Sequence, residues 1–368
     1  MSTAVREYTT TDEGEVCDLY ARAFNAATSE MFRQRWHWEF EAAPALERFA
    51  NLVAERDRRI VAHLGRLNVR LAVGDALVPA VFLNDVMADK GRAGLSVVHL
   101  VKRSLDEVPV VLHFGGQPGP DHVMLERLGM QPVAIGQIMV RVERPAGVLA
   151  ALAHRRLAAH PRWRRAARWL FAALGALLTP ACAVRYRWGA KLVAGADAVT
   201  PLSDFDERFD DLWKAMRQQC PVMCARDRTF LRWRYRDAPT GEYLILAATR
   251  DDGSIAAASV VARGSMGPAR VGRLMECLYS DEGALAAVIN ASLAAFRAMR
   301  VDMIVSVGLT RQARELLQVV GFQAYRDRLF MVKSSLGPAG DALLRDPASW
   351  YISAGDGDED FERSADAI

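Results

Sequence analysis

The sequence predicts an α/β protein of two tandem modules, each a mixed, mostly antiparallel sheet flanked by helices. Three observations support this prediction: the length of the chain, an internal repeat, and the order of the predicted elements. At 368 residues, the chain exceeds the usual size of one hydrophobic core and fits two domains. Hydrophobic residues make up 51% and charged residues 25%, which is the balance of a folded globular chain.

Two segments that lie 192 residues apart resemble each other. LERLGMQPVAIGQIMVR begins at Leu125, and LQVVGFQAYRDRLFMVK begins at Leu317. The same offset aligns further identical residues: Gly129 with Gly321, Gln131 with Gln323, Met139 with Met331, Val140 with Val332, Gly116 with Gly308 and Gly91 with Gly283. A second similarity, at a slightly different offset, joins Arg35-Trp36-His37-Trp38 to Arg232-Trp233-Arg234-Tyr235. A single offset held over about fifty residues predicts a duplicated module.

The predicted elements follow the same order in both copies. In the first copy they are strands at 5–8, 50–55, 60–73, 77–87, 108–114 and 133–142, with helices at 11–24, 93–105 and 121–128. In the second copy they are strands at 243–249, 254–263, 270–278, 303–307 and 325–332, with helices at 283–299 and 311–319. Antiparallel strands leading into β-α-β-α-β predict a mixed sheet in each copy.

Two stretches in this order resemble a known family. The fourth strand runs through Asp85-Val86-Met87 into the glycine-bearing turn Gly91-Arg92-Ala93-Gly94, and a later helix ends in Leu125–Met130. In the second copy the corresponding helix ends in Leu317–Phe322. Both copies thus resemble the GNAT superfamily of acyl-CoA N-acyltransferases, and the second also resembles FemAB-like proteins. The resemblance implies acyl-CoA as the co-substrate and a primary amine as the acceptor.

The sequence departs from the family pattern at two points. The family's acyl-CoA loop normally begins with Arg or Gln, whereas here Lys90 precedes Gly91, and Arg92 adds charge beside it. The position of the family's general-acid tyrosine holds Leu125 in the first copy and Leu317 in the second. The resemblance therefore implies a different acid, or proton transfer through water.

A pyrophosphate is bound by free backbone N–H groups at a helix start, by glycine that permits close approach, and by positive charge. The first copy combines all three between Lys90 and Ser96. The predicted acyl-CoA-binding residues are Val86, Met87, Lys90, Gly91, Arg92, Ala93, Gly94 and Ser96. In the second copy Asp281 and Glu282 stand at the matching place, and two carboxylates repel a phosphate. The alternative to a binding loop is that Gly91 and Gly94 merely form a turn.

Formation of an amide from a thioester requires removal of a proton from an ammonium and stabilisation of an oxyanion. Asp85 ends the fourth strand and His113 lies near the end of the fifth, so these two are the predicted catalytic residues. The open alternatives are a turn cap for Asp85 and a structural core histidine for His113. No metal is expected, because Cys220 and Cys224 have no second Cys or His pair nearby to complete a zinc site.

The segment that joins the copies is strongly basic. From 144 to 196 there are ten Lys or Arg residues and no Asp or Glu. Its apolar run, 169–184, would be about 24 Å long as a helix, which is shorter than the hydrocarbon core of roughly 30 Å. Two interpretations stay open: contact of 155–191 with an anionic membrane surface, and a buried helical hairpin. Nucleic acid is a weaker alternative, because no nucleic-acid-binding fold accompanies the charges.

The predicted domains are 1–144, which binds acyl-CoA, a helical connector at 145–196, a second GNAT-like domain at 197–336, and an acidic tail at 337–368. The predicted function is transfer of an acyl group from CoA to a primary amine. With membrane contact, this amine would be lipid-like, as in the bacterial ceramide synthases that acylate a sphingoid amine. The alternatives are FemAB-like transfer onto cell-envelope or polysaccharide amines, and non-catalytic ligand binding. Without a signal peptide, the expected location is the cytoplasm, at the inner membrane surface if the connector binds it.

Overall fold

The computed structural model describes residues 3–23, 26–89, 94–115, 119–157, 169–171, 173–175, 177, 198–239 and 241–357. These residues form two sheets. The fifteen strands are β1 Ala4–Glu7, β2 Leu52–Arg56, β3 Arg59–Val73, β4 Ala76–Ala88, β5 Val110–Phe114, β6 Gln131–Pro132, β7 Gly136–Val142, β8 Val199–Leu202, β9 Val222–Cys224, β10 Tyr243–Thr249, β11 Ile255–Met266, β12 Ala269–Tyr279, β13 Met303–Val307, β14 Gln323–Arg328 and β15 Phe330–Ser334.

Helices cover the sheets. They are α1 Glu13–Ala23, α2 Ala26–Trp36, α3 Gly94–Glu107, α4 Pro120–Arg127, α5 Pro145–Arg156, α6 Arg208–Gln219, α7 Arg228–Tyr235, α8 Glu282–Ala298, α9 Arg311–Val319 and α10 Pro338–Arg345. A π-helical turn, His37–Glu41, continues α2. Local chemistry sets several helix starts: the side chains of Asp227, Asp281 and Thr310 each accept a hydrogen bond from a backbone N–H in the first turn of α7, α8 and α9.

Each sheet is mixed and mostly antiparallel. The first has the order β1-β2-β3-β4-β5-β15-β6, with β9 also paired to β3, and the second has the order β14-β7-β13-β12-β11-β10-β8. The β4–β5 pair is parallel in the first sheet, and the β12–β13 pair is parallel in the second. The predicted α/β class with two mixed sheets flanked by helices is confirmed.

The chain divides into two compact units that are not continuous in sequence. The first contains 1–136, 220–239 and 328–350, and the second contains 137–219, 240–327 and 351–368. The predicted domain ranges are continuous stretches of chain, whereas each of these units combines three separate stretches.

The difference arises at the last strand of each copy, which the sequence predicts as one strand at 133–142 and one at 325–332. The structure divides both. Strand β7 pairs with β13 of the second sheet, and β15 pairs with β5 of the first. Gly136 lies where the chain changes sheet, and a side chain there would collide with the backbone carbonyl of Arg328. A residue without a Cβ is therefore required at this close approach.

Two tryptophans that lie far apart in sequence pack against each other in the first unit. The rings of Trp38 and Trp233 stack at a centroid distance of 4.8 Å, and each indole N–H donates to the backbone carbonyl of the other residue at 2.8 Å. Both residues belong to the two related tryptophan segments of the sequence. The second of these segments, within α7, thus belongs to the first unit rather than to the sheet that follows it in sequence.

Candidate active site

Strands β4 and β5 run parallel but pair over a short distance. The pairing ends at Phe82↔Leu112, although β4 continues to Ala88 and β5 to Phe114. Beyond Phe82 the edge of β4 on this side lies outside the β4–β5 ladder. An unpaired strand edge can bind an extended ligand that carries amides, as the arm of CoA does.

Asp85 lies in a β-bulge at this place. The register of β3 against β4 shifts between Asn84 and Met87, so that β4 contains one residue more than β3. The backbone of Asp85 has φ 49°, in the left-handed region that few residues other than glycine adopt. The following side chain, Val86, is 37% exposed. The bulge thus presents Val86 to solvent next to the point where β4 leaves β5.

The Asp85 side chain points into a buried ionic cluster. Its Oδ2 lies 3.4 Å from Nη2 of Arg35, and the same nitrogen lies 3.3 Å from Oε2 of Glu39. Asn84 donates to the other oxygen of Glu39 at 3.0 Å. Both carboxylates and the guanidinium are buried, with side-chain exposures of 5% or less. The Asp85 carboxylate faces this cluster. Its position therefore favours a structural role, in which it stabilises the bulge, rather than direct contact with a substrate.

His63 supports the bulge from the neighbouring strand. It is fully buried, and its Nδ1–H donates to the backbone carbonyl of Asp85 at 3.2 Å. Burial lowers the pKa of His63 to about 4, an effect that the nearby Asp85 partly offsets. The imidazole is therefore neutral at physiological pH.

This pKa makes the stability of the protein pH-dependent. Between pH 6.5 and about 4 the unfolded chain takes up a proton at His63 and the folded chain does not, so stability is lost as the pH falls. We expect the free energy of unfolding to drop by about 3 kcal/mol over this range from His63 alone. Urea unfolding at several pH values, for the parent and for His63→Gln, measures the difference. Equal pH slopes in the two proteins would contradict the assignment.

His113 lies on β5 at the end of the β4–β5 pairing. Its ring is half-buried, and burial lowers its pKa below 6.5, against the raising effect of a hydrogen bond to the backbone of Leu83. Its Nδ1 atom is buried and has no hydrogen-bond partner among the described residues. A neutral imidazole at the end of the β4–β5 pairing is able to accept a proton.

Gly115 fixes the position of this imidazole. A Cβ at residue 115 would collide with Nε2 of His113, and ring atoms are not the flexible end of a long side chain. We expect Gly115→Ala to move the ring and to lower the rate constant kcat by roughly 10- to 100-fold if His113 takes part in the reaction. Gly14→Ala is the control, because a Cβ there meets open space. Equal kcat values for the two variants in an acyl-transfer assay would contradict this role.

The start of α3 lies just beyond β4 in sequence. Gly94 is the first helical residue, no atom lies within 4 Å of where its Cβ would be, and the first turn has no acidic residue. Ser96 is buried, and its Oγ has no hydrogen-bond partner among the described residues. Met87 is buried at the end of β4. The predicted contributors Lys90, Gly91, Arg92 and Ala93 lie outside the described residues.

Comparison with known proteins finds a family model that this region resembles. Residues 4–110, which include β1 to the start of β5, match the model of the Acetyltransferase (GNAT) domain. The match covers less than a third of the chain. The predicted resemblance to the GNAT superfamily is thus confirmed, whereas the likeness to ceramide synthases stays a prediction. No curated protein matches the sequence.

Several solved structures share the fold over about nine-tenths of the chain. A probable N-acyltransferase from Enterococcus faecalis has a TM-score of 0.59 at 9% identity, covering 91% of this chain and 73% of its own. A GCN5-related N-acetyltransferase from Anabaena variabilis gives 0.59 at 11%, with 90% and 73% covered. The N-myristoyltransferase of Saccharomyces cerevisiae, solved with myristoyl-CoA and inhibitors, gives 0.56 at 12%, with 90% and 80% covered. At these identities the likeness is one of fold.

The structure adds residues to the candidate site that the sequence did not indicate. Asp85 and His113 lie on the predicted strands, but Arg35, Glu39 and His63 beneath the bulge were missed. The spacing of Arg35 and Glu39, four residues apart among aromatic residues, was the available signal. Gly115 offered no signal, because the collision that excludes a side chain there depends on the rotamer of His113.

Proposed function

We propose that the protein is an acyl-CoA-dependent N-acyltransferase and that its first unit holds the reaction site. The observation that carries this proposal is a match to the GNAT domain model over residues 4–110, in a unit where β4 and β5 stop pairing beside His113. Burial lowers the pKa of His113, and the next helix in sequence, α3, has no acidic residue in its first turn. The start of α3, with Gly94 and Ser96, would bind the pyrophosphate, together with Lys90, Gly91, Arg92 and Ala93 as the sequence predicts.

The reaction assigns distinct roles to the two predicted catalytic residues. His113 would take a proton from the ammonium of the acceptor, and the amine nitrogen would then attack the thioester carbonyl. The C–S bond breaks, the amide forms, and the thiolate of CoA leaves as a thiol after protonation through water, since Leu125 stands in place of the family's tyrosine. Backbone N–H groups at the bulge, near Val86 and Met87, would stabilise the oxyanion. Asp85 would position the bulge through Arg35.

The acceptor in this proposal is a lipid-like amine, such as a sphingoid base, presented at a membrane surface. The support comes from the described part of the connector, where Trp169, Leu170 and Leu177 are 72%, 66% and 78% exposed. Gly175 of the same stretch packs closely on Ala146 at the start of α5, so one side is held by the protein. Exposed tryptophan and leucine between clusters of arginine are typical of a segment that lies in a membrane interface.

The remaining connector residues, 158–168, 172, 176 and 178–197, lie outside the described part of the chain. Among the residues that are described, no helix has the length and apolar character needed to cross a bilayer. Surface contact is therefore the form of membrane association that we propose.

Titration with acyl-CoAs of increasing chain length tests the catalytic proposal. We expect binding that tightens with chain length, and amide formation with a long-chain amine but not with a short hydrophilic one. Lys90→Glu combined with Arg92→Ala should weaken CoA binding at least tenfold, by removing positive charge from the pyrophosphate. The control with the same charge change is Lys214→Glu with Arg311→Ala, at two exposed sites of the second unit. Absence of binding at every chain length would refute the proposal, and aminoacyl-tRNA binding instead would favour the FemAB-like alternative.

Co-sedimentation with vesicles tests the membrane contact separately. We expect binding to vesicles with anionic lipid, weakening as salt rises, and loss of binding when Trp169, Leu170 and Leu177 are changed together to serine. The control changes exposed apolar residues elsewhere, Leu46→Ser with Tyr325→Ser. Equal vesicle binding by the two variants would contradict the assigned surface.

A further inference from the structure

The second unit repeats the strand arrangement of the candidate site. Strands β12 and β13 run parallel, and their pairing ends at Leu274↔Ser306, although β12 continues to Tyr279. The register of β11 against β12 shifts at Met275, so β12 also has a bulge just beyond the end of the pairing. The second unit therefore has the same break between adjacent parallel strands as β4 and β5 in the first.

In the second unit this place is occupied by the chain itself. The Tyr351 hydroxyl donates to Oε2 of Glu276 at 2.5 Å and accepts from the backbone N–H of Cys277 at 3.1 Å. Both partners lie on β12 just after its bulge. The backbone carbonyl of Ile352 accepts from the N–H of Leu309, after the end of β13, at 2.6 Å. The segment thus bonds to both strands where they stop pairing with each other.

The rest of the segment is buried and internally bonded. Residues 351–356 are all buried. Ser353 and Asp356 form a capping box around a 3-10 turn, in which the Ser353 N–H donates to Asp356 at 2.9 Å and the Gly355 N–H donates to Ser353. Complete burial, together with hydrogen bonds inside the segment, resembles the packing of a bound peptide.

The backbone opposite the segment is shaped to accept it. Gly308 and Leu309 both adopt left-handed φ values, 68° and 69°, and the second of these is unusual for a leucine. A Cβ on Gly308 would come within 2.5 Å of the Ile352 carbonyl oxygen. Gly308 therefore allows the chain to approach closely, and the left-handed conformation of Leu309 directs its N–H at the segment.

The helix start that follows β12 has the opposite character to that of α3. Asp281 caps α8 by accepting from the Ala284 N–H at 2.8 Å, and Glu282 adds a second carboxylate in the first turn. The N–H of Ala284 is thus already bonded to Asp281, whose carboxylate also pairs with Arg250 at 3.1 Å. Because a side chain of the protein already accepts from this first-turn N–H, the start of α8 has one donor fewer for a pyrophosphate.

We propose that residues 351–356 act as an internal peptide ligand of the second unit. They fill the second cleft, which is the gap where β12 and β13 stop pairing, and they take the place that a thioester would occupy in the first unit. The second unit then contributes no acyl-CoA site. The comparison with a thioester rests on the proposed function, but the peptide–cleft interaction does not require the first unit to be catalytic.

Hydrogen exchange at two backbone amides tests this proposal. In the full chain the N–H groups of Cys277 and Leu309 should exchange slowly, because each donates to the segment. Tyr351→Phe removes the acceptor of Cys277 alone, so we expect at least tenfold faster exchange there with little change at Leu309. Tyr325→Phe, which alters an exposed tyrosine of the same unit, is the matched control. Unchanged exchange of Cys277 in Tyr351→Phe would overturn the proposal.

Addition of the peptide in trans gives an independent test. A chain that ends at Trp350 should exchange both amides quickly, and a synthetic peptide of sequence YISAGDG should bind to it and restore slow exchange. The same peptide with phenylalanine first should bind roughly 10- to 100-fold more weakly, since it lacks the hydroxyl that bonds to both Glu276 and the Cys277 N–H. A folded truncated chain that keeps both amides protected, or ignores the peptide, would overturn the proposal. If the truncated chain does not fold, the exchange of Cys277 in Tyr351→Phe tests the proposal by itself. Failure of the full chain to bind acyl-CoA would refute only the proposed function.

Discussion

Replacement of His113 by glutamine is expected to lower kcat for acyl transfer by roughly 100- to 10,000-fold, because a positioned general base contributes about this factor. Glutamine keeps a polar group of similar reach at the end of β5 but cannot accept a proton at neutral pH. In the proposed mechanism His113 acts after acyl-CoA has bound, so the affinity for acyl-CoA should change little. Release of CoA thiol at saturating acyl-CoA and amine measures kcat directly.

The pH profile separates this role from a structural one. Burial lowers the pKa of His113 below 6.5, so the active neutral form persists to below that pH and the rate should fall only under more acidic conditions. His122→Gln is the control, because His122 lies on α4 nearby and pairs with Glu126 at 2.8 Å. A His113→Gln variant with parental kcat, or an acidic limb that survives the substitution, would remove His113 from the mechanism.

Replacement of Arg35 by methionine should destabilise the first unit by about 3–5 kcal/mol. The substitution leaves the carboxylates of Asp85 and Glu39 buried without the guanidinium that both contact, and an uncompensated buried charge is costly. Arg33→Met, at an exposed position of the same helix, should cost less than about 0.5 kcal/mol. Urea unfolding followed by tryptophan fluorescence measures both.

A variant in which the buried cluster of Arg35, Glu39 and Asp85 carries no charge tests the cause of this destabilisation. Arg35→Met together with Asp85→Asn and Glu39→Gln removes all three charges, so the triple variant should be more stable than Arg35→Met alone. Greater instability of the triple variant would show that these side chains contribute through packing or hydrogen bonds rather than through compensation of charge.

Several elements could be predicted closely from the sequence because their signals are local. The bounds predicted for β10, β13 and α9 agree with the structure residue for residue. Strand β13 is a short apolar run, and α9 begins at the capping residue Thr310 and ends before Gly321, which has a left-handed φ of 98°. Hydrophobic periodicity, a capping residue and a terminating glycine all lie within or beside the element, so they can be recognised in the local sequence.

The exchange of β7 and β15 between the sheets could not be predicted, because strand pairing across almost 200 residues leaves no local pattern. The same holds for the site. Asp85 and His113 are visible as polar residues near the ends of apolar strands, but the partners that distinguish their environments are Arg35, 50 residues before Asp85, and the backbone of Leu83. The occupied second cleft depends on Tyr351, 75 residues after Glu276.

The most direct test is a structure of the protein bound to a non-hydrolysable thioether analogue of a long-chain acyl-CoA. We expect one molecule per chain, with the acyl-bearing sulfur between β4 and β5 near His113 and the pyrophosphate at the start of α3 near Gly94. Density for the nucleotide beside β12 and α8, or with its sulfur away from His113, would contradict the assignment of the reaction to the first unit.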